Sequence, residues 1–184
     1  MQRTSFGKMQ CPIARSLERV GEWWNILILR DAFHGLTRFD EFQSSLNIAP
    51  GMLTRRLNGL VEAGLLEKRQ YSSHPPRHEY VLTGRGRDFR PVLVAMLAWG
   101  NRHFAPEGAS VTLVDRETGT PTEPLVIDRK SGRPMSDKTF IFAPGPAANE
   151  RTKRRLAFAA GKISHDEYRQ ELLARGTTKK RRQK

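Results

Sequence analysis

The chain has 184 residues, 38% of them hydrophobic, which is enough for one domain of ordinary size or for a small domain with an appendage. Its net charge of +13 is shared between residues 1–105, with 15 Lys and Arg against 9 Asp and Glu, and residues 106–184, with 17 against 10, and this favours a nucleic-acid partner over a membrane. No apolar run approaches the roughly 18 residues of a membrane helix, no signal-peptide core is seen, and one cysteine excludes an internal disulfide, so a soluble intracellular protein is predicted.

Three helices are predicted before residue 50. Pro12 stands at the first position of the helix in "CPIARSLERVG", where its missing N–H costs nothing. "EWWNILILRDAF" is apolar almost all round from Trp23 to Phe33, which indicates a buried central helix. "RFDEFQSSL" repeats its apolar residues at i, i+3 and i+7, which indicates a short amphipathic helix.

A fourth helix is predicted within "MLTRRLNGLVEAGLLEKR", residues 52–69, where an apolar face lies beside a basic cluster. Leu53, Leu57 and Leu60 fall on one helical face, and Gly64 stands where a left-handed cap would end the helix. Burial of these leucines would turn a polar set outward, namely Thr54, Arg55, Arg56 and Asn58.

A hairpin and a long helix are predicted next. The β-like runs "LLEKRQY" and "HEYVLT" flank the proline-rich link "SSHPPR", which indicates a hairpin with a projecting tip. "TGRGRDFRPVLVAMLAWGNRHF" then predicts one long helix begun by Thr83, although Gly84 and Gly86 weaken its first turn.

The composition shifts after Phe104. "VTLVDRETG" and "LVIDRKSG" share one pattern around Asp115 and Asp128, and each indicates a strand running into a tight turn. Such tips carry cysteines in zinc ribbons, whereas Thr118 and Ser131 stand there in this chain, so a metal-free unit is predicted. Two helices follow, the second with Ser164 and Glu167 in capping-box spacing and Gly176 at its end, and "RGTTKKRRQK" reads as a disordered tail.

The order of three helices, a recognition-like helix after a short turn, and a hairpin is that of a winged helix-turn-helix, whose second helix lies in the DNA major groove. Arg can donate two hydrogen bonds to guanine, and Asn can read adenine in the same two-point way. Basic residues on the hairpin suit phosphate or minor-groove contacts, which fix register more than sequence. The candidate DNA-binding residues are Arg38, Thr54, Arg55, Arg56, Asn58, Lys68, Arg69, His74 and Arg77. The alternative is a solvated helix face with ordinary salt bridges.

Six motifs carry a resemblance: "CP" at 11–12, "GEWWNILILRD" at 21–31, "RFDEF" at 38–42, "LTRRLNGLVEAGLL" at 53–66, "PPRHEYVLT" at 75–83 and "WG" at 99–100. With them, residues 11–104 resemble the HxlR family of winged-helix bacterial transcriptional regulators. The resemblance implies a homodimer paired through its first and last long helices. It also implies binding to a pseudo-palindromic operator on double-stranded DNA, with recognition helices roughly 34 Å apart.

The expected fold class is therefore mainly α with a β-hairpin wing (α+β), a winged helix-turn-helix DNA-binding domain with a small C-terminal β-hairpin and helical extension. The expected parts are an N-terminal arm (1–10), an HxlR-type winged helix domain with dimerisation helices (11–105), a ribbon-like β unit without metal ligands (106–146), C-terminal helices (147–174) and a basic disordered tail (175–184).

Cys11 is the one candidate for a sensor. It stands at the expected cap of the first helix, where the helix dipole and Arg15 one turn on would favour the thiolate. Some regulators of the resembled family sense oxidants or electrophiles through a cysteine at this place, so the resemblance implies a redox switch and an electrophile or small-molecule effector. The alternative is a half-buried helix-cap residue.

The expected function is that of a cytoplasmic, nucleoid-associated, dimeric repressor that reads DNA sequence. The alternative is a non-specific architectural nucleic-acid binder whose affinity comes from basic charge. No catalytic arrangement, phosphate-cradling loop or metal-ligand spacing is visible, so neither an enzyme nor a cofactor is predicted.

Overall fold

The computed structural model describes residues 9–181, with side chains as far as residue 174. Contacts divide the chain into two compact units. The first unit comprises residues 15–126, and the second comprises residues 9–14 together with residues from 127 onward. The helices within the described range are each too short or too polar to cross a bilayer.

Four helices begin the chain: α1 (Pro12–Val20), α2 (Trp23–Phe33), α3 (Phe39–Leu46) and α4 (Pro50–Glu62). The fully buried centre of the first unit is made by α2, α3, α4 and the following strand, through Ile28, Leu29, Phe42, Leu53, Leu57, Leu60 and Leu66. The central position predicted for α2 is therefore confirmed for its middle. Its first residue differs, because Trp23 lies at the helix start and is mostly exposed.

The predicted hairpin is formed by β1 (Leu66–Ser73) and β2 (Pro76–Leu82), which pair antiparallel with Leu66 opposite Leu82 and Arg69 opposite Glu79. The hairpin is tied to the chain before α3, since the Tyr80 N–H donates to the Thr37 carbonyl at 2.7 Å. The result is a wing whose base is fixed to the helix-turn-helix.

The single long helix predicted after Thr83 is instead two, α5 (Gly84–Arg87) and α6 (Arg90–His103). Pro91 explains the break, because it has no N–H to donate to Arg87 and its ring would collide with that carbonyl in a continuous helix. The predicted start is confirmed, since the Thr83 side chain accepts from the Gly86 N–H at 3.0 Å. Gly86 is required there, because any Cβ would overlap the Leu65 carbonyl.

The two Asp-containing turns are present, but they do not form one β unit. Val114 bridges Pro121 in the first unit, and Ile127 bridges Pro134 in the second. The predicted 106–146 unit is thus divided between residues 126 and 127, and only isolated bridges take the place of its strands.

Each turn is held by its carboxylate. Asp115 accepts from the Thr118 and Glu117 N–H groups, and Asp128 accepts from the hydroxyl and N–H of Ser131. These hydrogen bonds lower the pKa of both carboxyl groups, as expected of turn caps.

The second unit contains α7 (Glu150–Ala159) and α8 (His165–Arg181). Phe158 stacks on Tyr168 with ring centroids 4.7 Å apart, and Arg154 pairs with Glu171 at 2.8 Å. The predicted capping box is confirmed, since the Glu167 carboxylate accepts from the Ser164 N–H at 2.8 Å and the Glu167 N–H donates to the Ser164 hydroxyl.

The tail predicted as disordered from residue 175 is helical as far as Arg181, and α8 passes through Gly176. Lys and Arg are good helix formers, and positive charge is favoured at a helix C-terminus, so one glycine does not end the helix. Residues 182–184 of the predicted tail, and residues 1–8 of the predicted N-terminal arm, lie outside the described residues.

Candidate nucleic-acid interface

The α4 helix is anchored by leucines and presents polar side chains on its opposite face. Leu53, Leu57 and Leu60 are fully buried, whereas Thr54, Arg55 and Asn58 are exposed. The outward orientation predicted for these three polar residues is therefore confirmed. The Thr54 hydroxyl donates to the Pro50 carbonyl at 2.9 Å, so its proton is used within the helix while its lone pairs and methyl group face outward.

The outward orientation predicted for Arg56 is wrong. Its Nη2 lies 3.0 Å from a carboxylate oxygen of Glu22, just before α2, and its side chain is only 14% exposed. Arg56 stands three residues after Leu53, so it lies at the edge of the buried face and turns toward α2. An arginine so placed holds α4 against its neighbour and does not project beside Arg55.

Arg38, at the start of α3, is exposed and is positioned by two elements. Its guanidinium lies 4.7 Å from the centroid of the Tyr71 ring on β1, a cation–π contact. The Glu41 carboxylate accepts from the N–H groups of Arg38 and Thr37 at 2.8 Å each, and these bonds lower the pKa of Glu41. The side chain is thus held between the helix-turn-helix and the wing.

The wing carries the other predicted residues on its exposed surface: Lys68, Arg69, His74 and Arg77. Arg69 is paired with Glu67 at 3.0 Å, and this partner lowers the pKa of the Glu67 carboxyl. His74 Nδ1 lies 3.2 Å from the Ser73 hydroxyl at the hairpin tip. Lys68 and Arg77 supply exposed positive charge on β1 and β2, where it can meet a phosphate backbone.

Cys11 precedes α1 as its cap and is half buried. The Ala14 N–H, and then the Ile13 N–H and Arg155, lower the pKa of its thiol against an opposing effect of burial. The helix N-terminus therefore acts as predicted, while the charged neighbour that contributes is Arg155 of α7 and not Arg15 as expected. Between residues 9 and 174, no three His, Cys, Asp or Glu side chains gather as metal ligands would.

Two contacts of this surface could not have been found from sequence. Glu22 and Arg56 are far apart along the chain, and so are Arg38 and Tyr71. Neither pair falls in a helical or cross-strand spacing, so no local pattern indicates them.

A helix-turn-helix formed by α3 and α4, followed by a hairpin wing beside an exposed basic surface, defines the class of winged helix transcriptional regulators. The family model described as HxlR-like helix-turn-helix matches residues 19–108. The chain belongs to this family, and it is a transcriptional regulator.

Relatives support the same assignment over more of the chain. The uncharacterised HTH-type transcriptional regulator Rv3095 of Mycobacterium tuberculosis is 39% identical over 135 residues, covering 73% of this chain and 85% of that protein. The solved structure of PA1374, a candidate transcription factor from Pseudomonas aeruginosa, is 58% identical with a TM-score of 0.58 and covers 79% of this chain and 99% of its own. PA1607, another candidate transcription factor, is 40% identical with a TM-score of 0.70, covering 77% and 100%.

Proposed function

We infer that this regulator is a homodimeric repressor that binds a pseudo-palindromic operator, with α4 in the major groove and the β1–β2 wing on the flanking backbone. The observation that carries the proposal is the anchoring of α4 by three fully buried leucines while Thr54, Arg55 and Asn58 stay exposed. A helix held rigidly from behind can present these side chains to base edges with little loss of conformational freedom.

The side chains divide by the contacts they suit. Arg55 can donate two hydrogen bonds to guanine O6 and N7, and Asn58 can pair with adenine N6 and N7. Arg38, Lys68, Arg69, His74 and Arg77 suit the sugar–phosphate backbone, where contacts set position rather than sequence. Arg56 remains in the interface as the residue that orients α4 through Glu22, and the base contact predicted for it passes to its neighbours.

The two-fold arrangement rests on an exposed apolar stripe of α6. Val92, Met96 and Trp99 lie on one side of this helix and are exposed, and Phe104 follows just after it with its ring edge-on to Trp99 at 4.8 Å between centroids. A contiguous apolar stripe on a helix is typical of a surface that another subunit covers. Pairing of α6 with its copy would give the symmetric dimer that a palindrome requires.

The central experiment compares Arg55→Ala and Arg77→Ala on DNA that the parent protein selects from a random pool. Loss of a two-point guanine contact should weaken selected DNA by about 10- to 100-fold and relax the preference at one base pair. Arg77→Ala should weaken all sequences alike and reduce the slope of affinity against salt by about one phosphate contact. Fluorescence anisotropy across a salt series measures both effects.

The control for this experiment is Arg102→Ala, which removes an exposed arginine of α6 from a pair with Glu123 and should leave DNA affinity unchanged. If selection at about 0.15 M salt enriched no sequence at all, specific reading would be refuted and the architectural binder, driven by charge alone, would stand in its place.

We also propose Cys11 as a redox or electrophile sensor, since the Ala14 and Ile13 N–H groups and Arg155 lower the pKa of its thiol and favour the reactive thiolate. Treatment with a quinone or peroxide should release the parent protein from selected DNA, whereas Cys11→Ser should stay bound. Equal release of both proteins, measured by gel shift with and without reductant, would contradict a sensing role for Cys11.

A further inference from the structure

A polar cleft of about 430 Å³ lies where the end of α1 and the start of α2 meet α4. This is within the volume range of small-molecule sites. Its wall carries as many acidic as basic side chains, and is therefore formally neutral: Arg19, Arg55, Arg56, Glu18, Glu22 and Glu62. A neutral polar wall of this kind favours a polar ligand without net charge over an anion or a hydrocarbon.

Two buried polar atoms in the wall have no hydrogen-bond partner among the described residues, the Asn25 Oδ1 and the Arg56 Nε. Asn25 is only 7% exposed, and its Nδ2 donates to the Arg19 carbonyl at 2.9 Å, which identifies Oδ1 as the unpaired acceptor. Arg56 uses Nη2 for Glu22, which leaves Nε–H as an unpaired donor. Buried polar groups are almost always paired in native proteins, so both atoms call for a partner.

We propose that the cleft is an effector site for a small neutral molecule bearing a primary carboxamide. The carboxamide oxygen accepts from Arg56 Nε–H, and the carboxamide N–H donates to Asn25 Oδ1. A carboxylate could accept from the arginine but would offer no proton to the asparagine, and it would bring a net charge beside Glu18, Glu22 and Glu62.

The position of the cleft couples this ligand to DNA binding, and this step rests on the proposed function. Arg55 and Asn58, the two proposed base-reading residues, also line the cleft. A bound molecule lies behind the same helix face that enters the groove and engages the arginine that orients α4. Ligand and operator therefore bind against each other, and by linkage each lowers the affinity of the other by the same factor.

The test uses benzamide as the probe, with N,N-dimethylbenzamide and benzoate as matched molecules that lack the donor or carry a charge. Each is titrated into the full-length protein without DNA and followed by NMR at the side-chain signals of Asn25 and Arg56. Benzamide should shift both signals with a Kd on the order of 1 mM, a value usual for a small fragment, and the other two molecules should bind at least tenfold more weakly.

Two variants identify the arginine atom that is used. Arg56→Lys keeps the charge beside Glu22 but removes Nε–H, and it should weaken benzamide about tenfold or more. Arg55→Lys changes the exposed neighbour in the same way and should leave benzamide binding as it was. Saturating benzamide should also weaken the selected DNA in the parent protein but not in Arg56→Lys.

The proposal is overturned if benzamide does not bind, if benzoate binds as well as benzamide, or if Arg56→Lys binds benzamide like the parent. These results would leave DNA selection by the parent protein untouched. Conversely, a protein that bound benzamide at Asn25 and Arg56 yet selected no DNA sequence would retain the site and refute the proposed function.

Discussion

Replacing Leu57 by alanine is expected to lower the free energy of unfolding by about 2–5 kcal/mol. Leu57 is fully buried on α4, in a cluster with residues of α2 and α3 such as Ile28, Leu29 and Phe42. Removing its isobutyl group takes away apolar burial and leaves a cavity that the surrounding helices fill only in part. Urea denaturation followed by circular dichroism, at one fixed protein concentration, measures the change.

Met52→Ala is the matched control, since it truncates a long apolar side chain on the same helix at an exposed position. It should cost well under half as much as Leu57→Ala, because little apolar area leaves water there. The comparison also bears on DNA reading, since a loosened α4 would lose selected DNA even with Arg55 and Asn58 intact. Equal losses of stability in the two variants would contradict the anchoring of α4 by its leucines.

Periodicity was sufficient to predict the parts of the fold whose causes are local. Leucines at helical spacing fix one face of α4, alternating and proline-bounded runs fix the wing, and Ser164 with Glu167 fixes the start of the last helix. The exposed triad Thr54, Arg55 and Asn58 follows directly from the buried face, because a helix with one face in the core must turn the other outward.

Features that depend on distant partners were missed or misread. Arg56 looks like its neighbour Arg55 in the sequence, and only the position of Glu22 in space decides that one is held and the other is free to project. The same reason applies to Cys11, whose charged neighbour comes from α7 and not from its own helix. Local charge patterns give no information on partners that tertiary packing supplies.

The ends of elements were also predicted less well than their centres. One proline divides α5 from α6, whereas one glycine does not end α8. The difference is physical: a proline removes a hydrogen bond and introduces a collision, while a glycine in a helix costs about 1 kcal/mol and neighbouring residues can absorb it.

Replacing Trp99 by glutamate is expected to convert the dimer into monomers and to weaken selected full-length DNA by about 10²- to 10⁴-fold. Trp99 is 59% exposed within one chain and stands in the middle of the apolar stripe of α6. A charge at this point would have to be buried without a partner in the paired state, so association fails. Each subunit would then bind one half-site alone and lose the gain that comes from joining two contacts on one duplex.

Sedimentation velocity reports the oligomeric state, and anisotropy on full-site and half-site DNA reports the two affinities. Leu125→Glu is the matched control, because it puts the same charge on a 68% exposed apolar residue of the first unit outside α6. It should remain dimeric and bind like the parent. Half-site affinity of Trp99→Glu should also be unchanged, since α4 and the wing are intact. A Trp99→Glu protein that stayed dimeric, or that lost half-site and full-site binding equally, would show that α6 does not form the dimer interface.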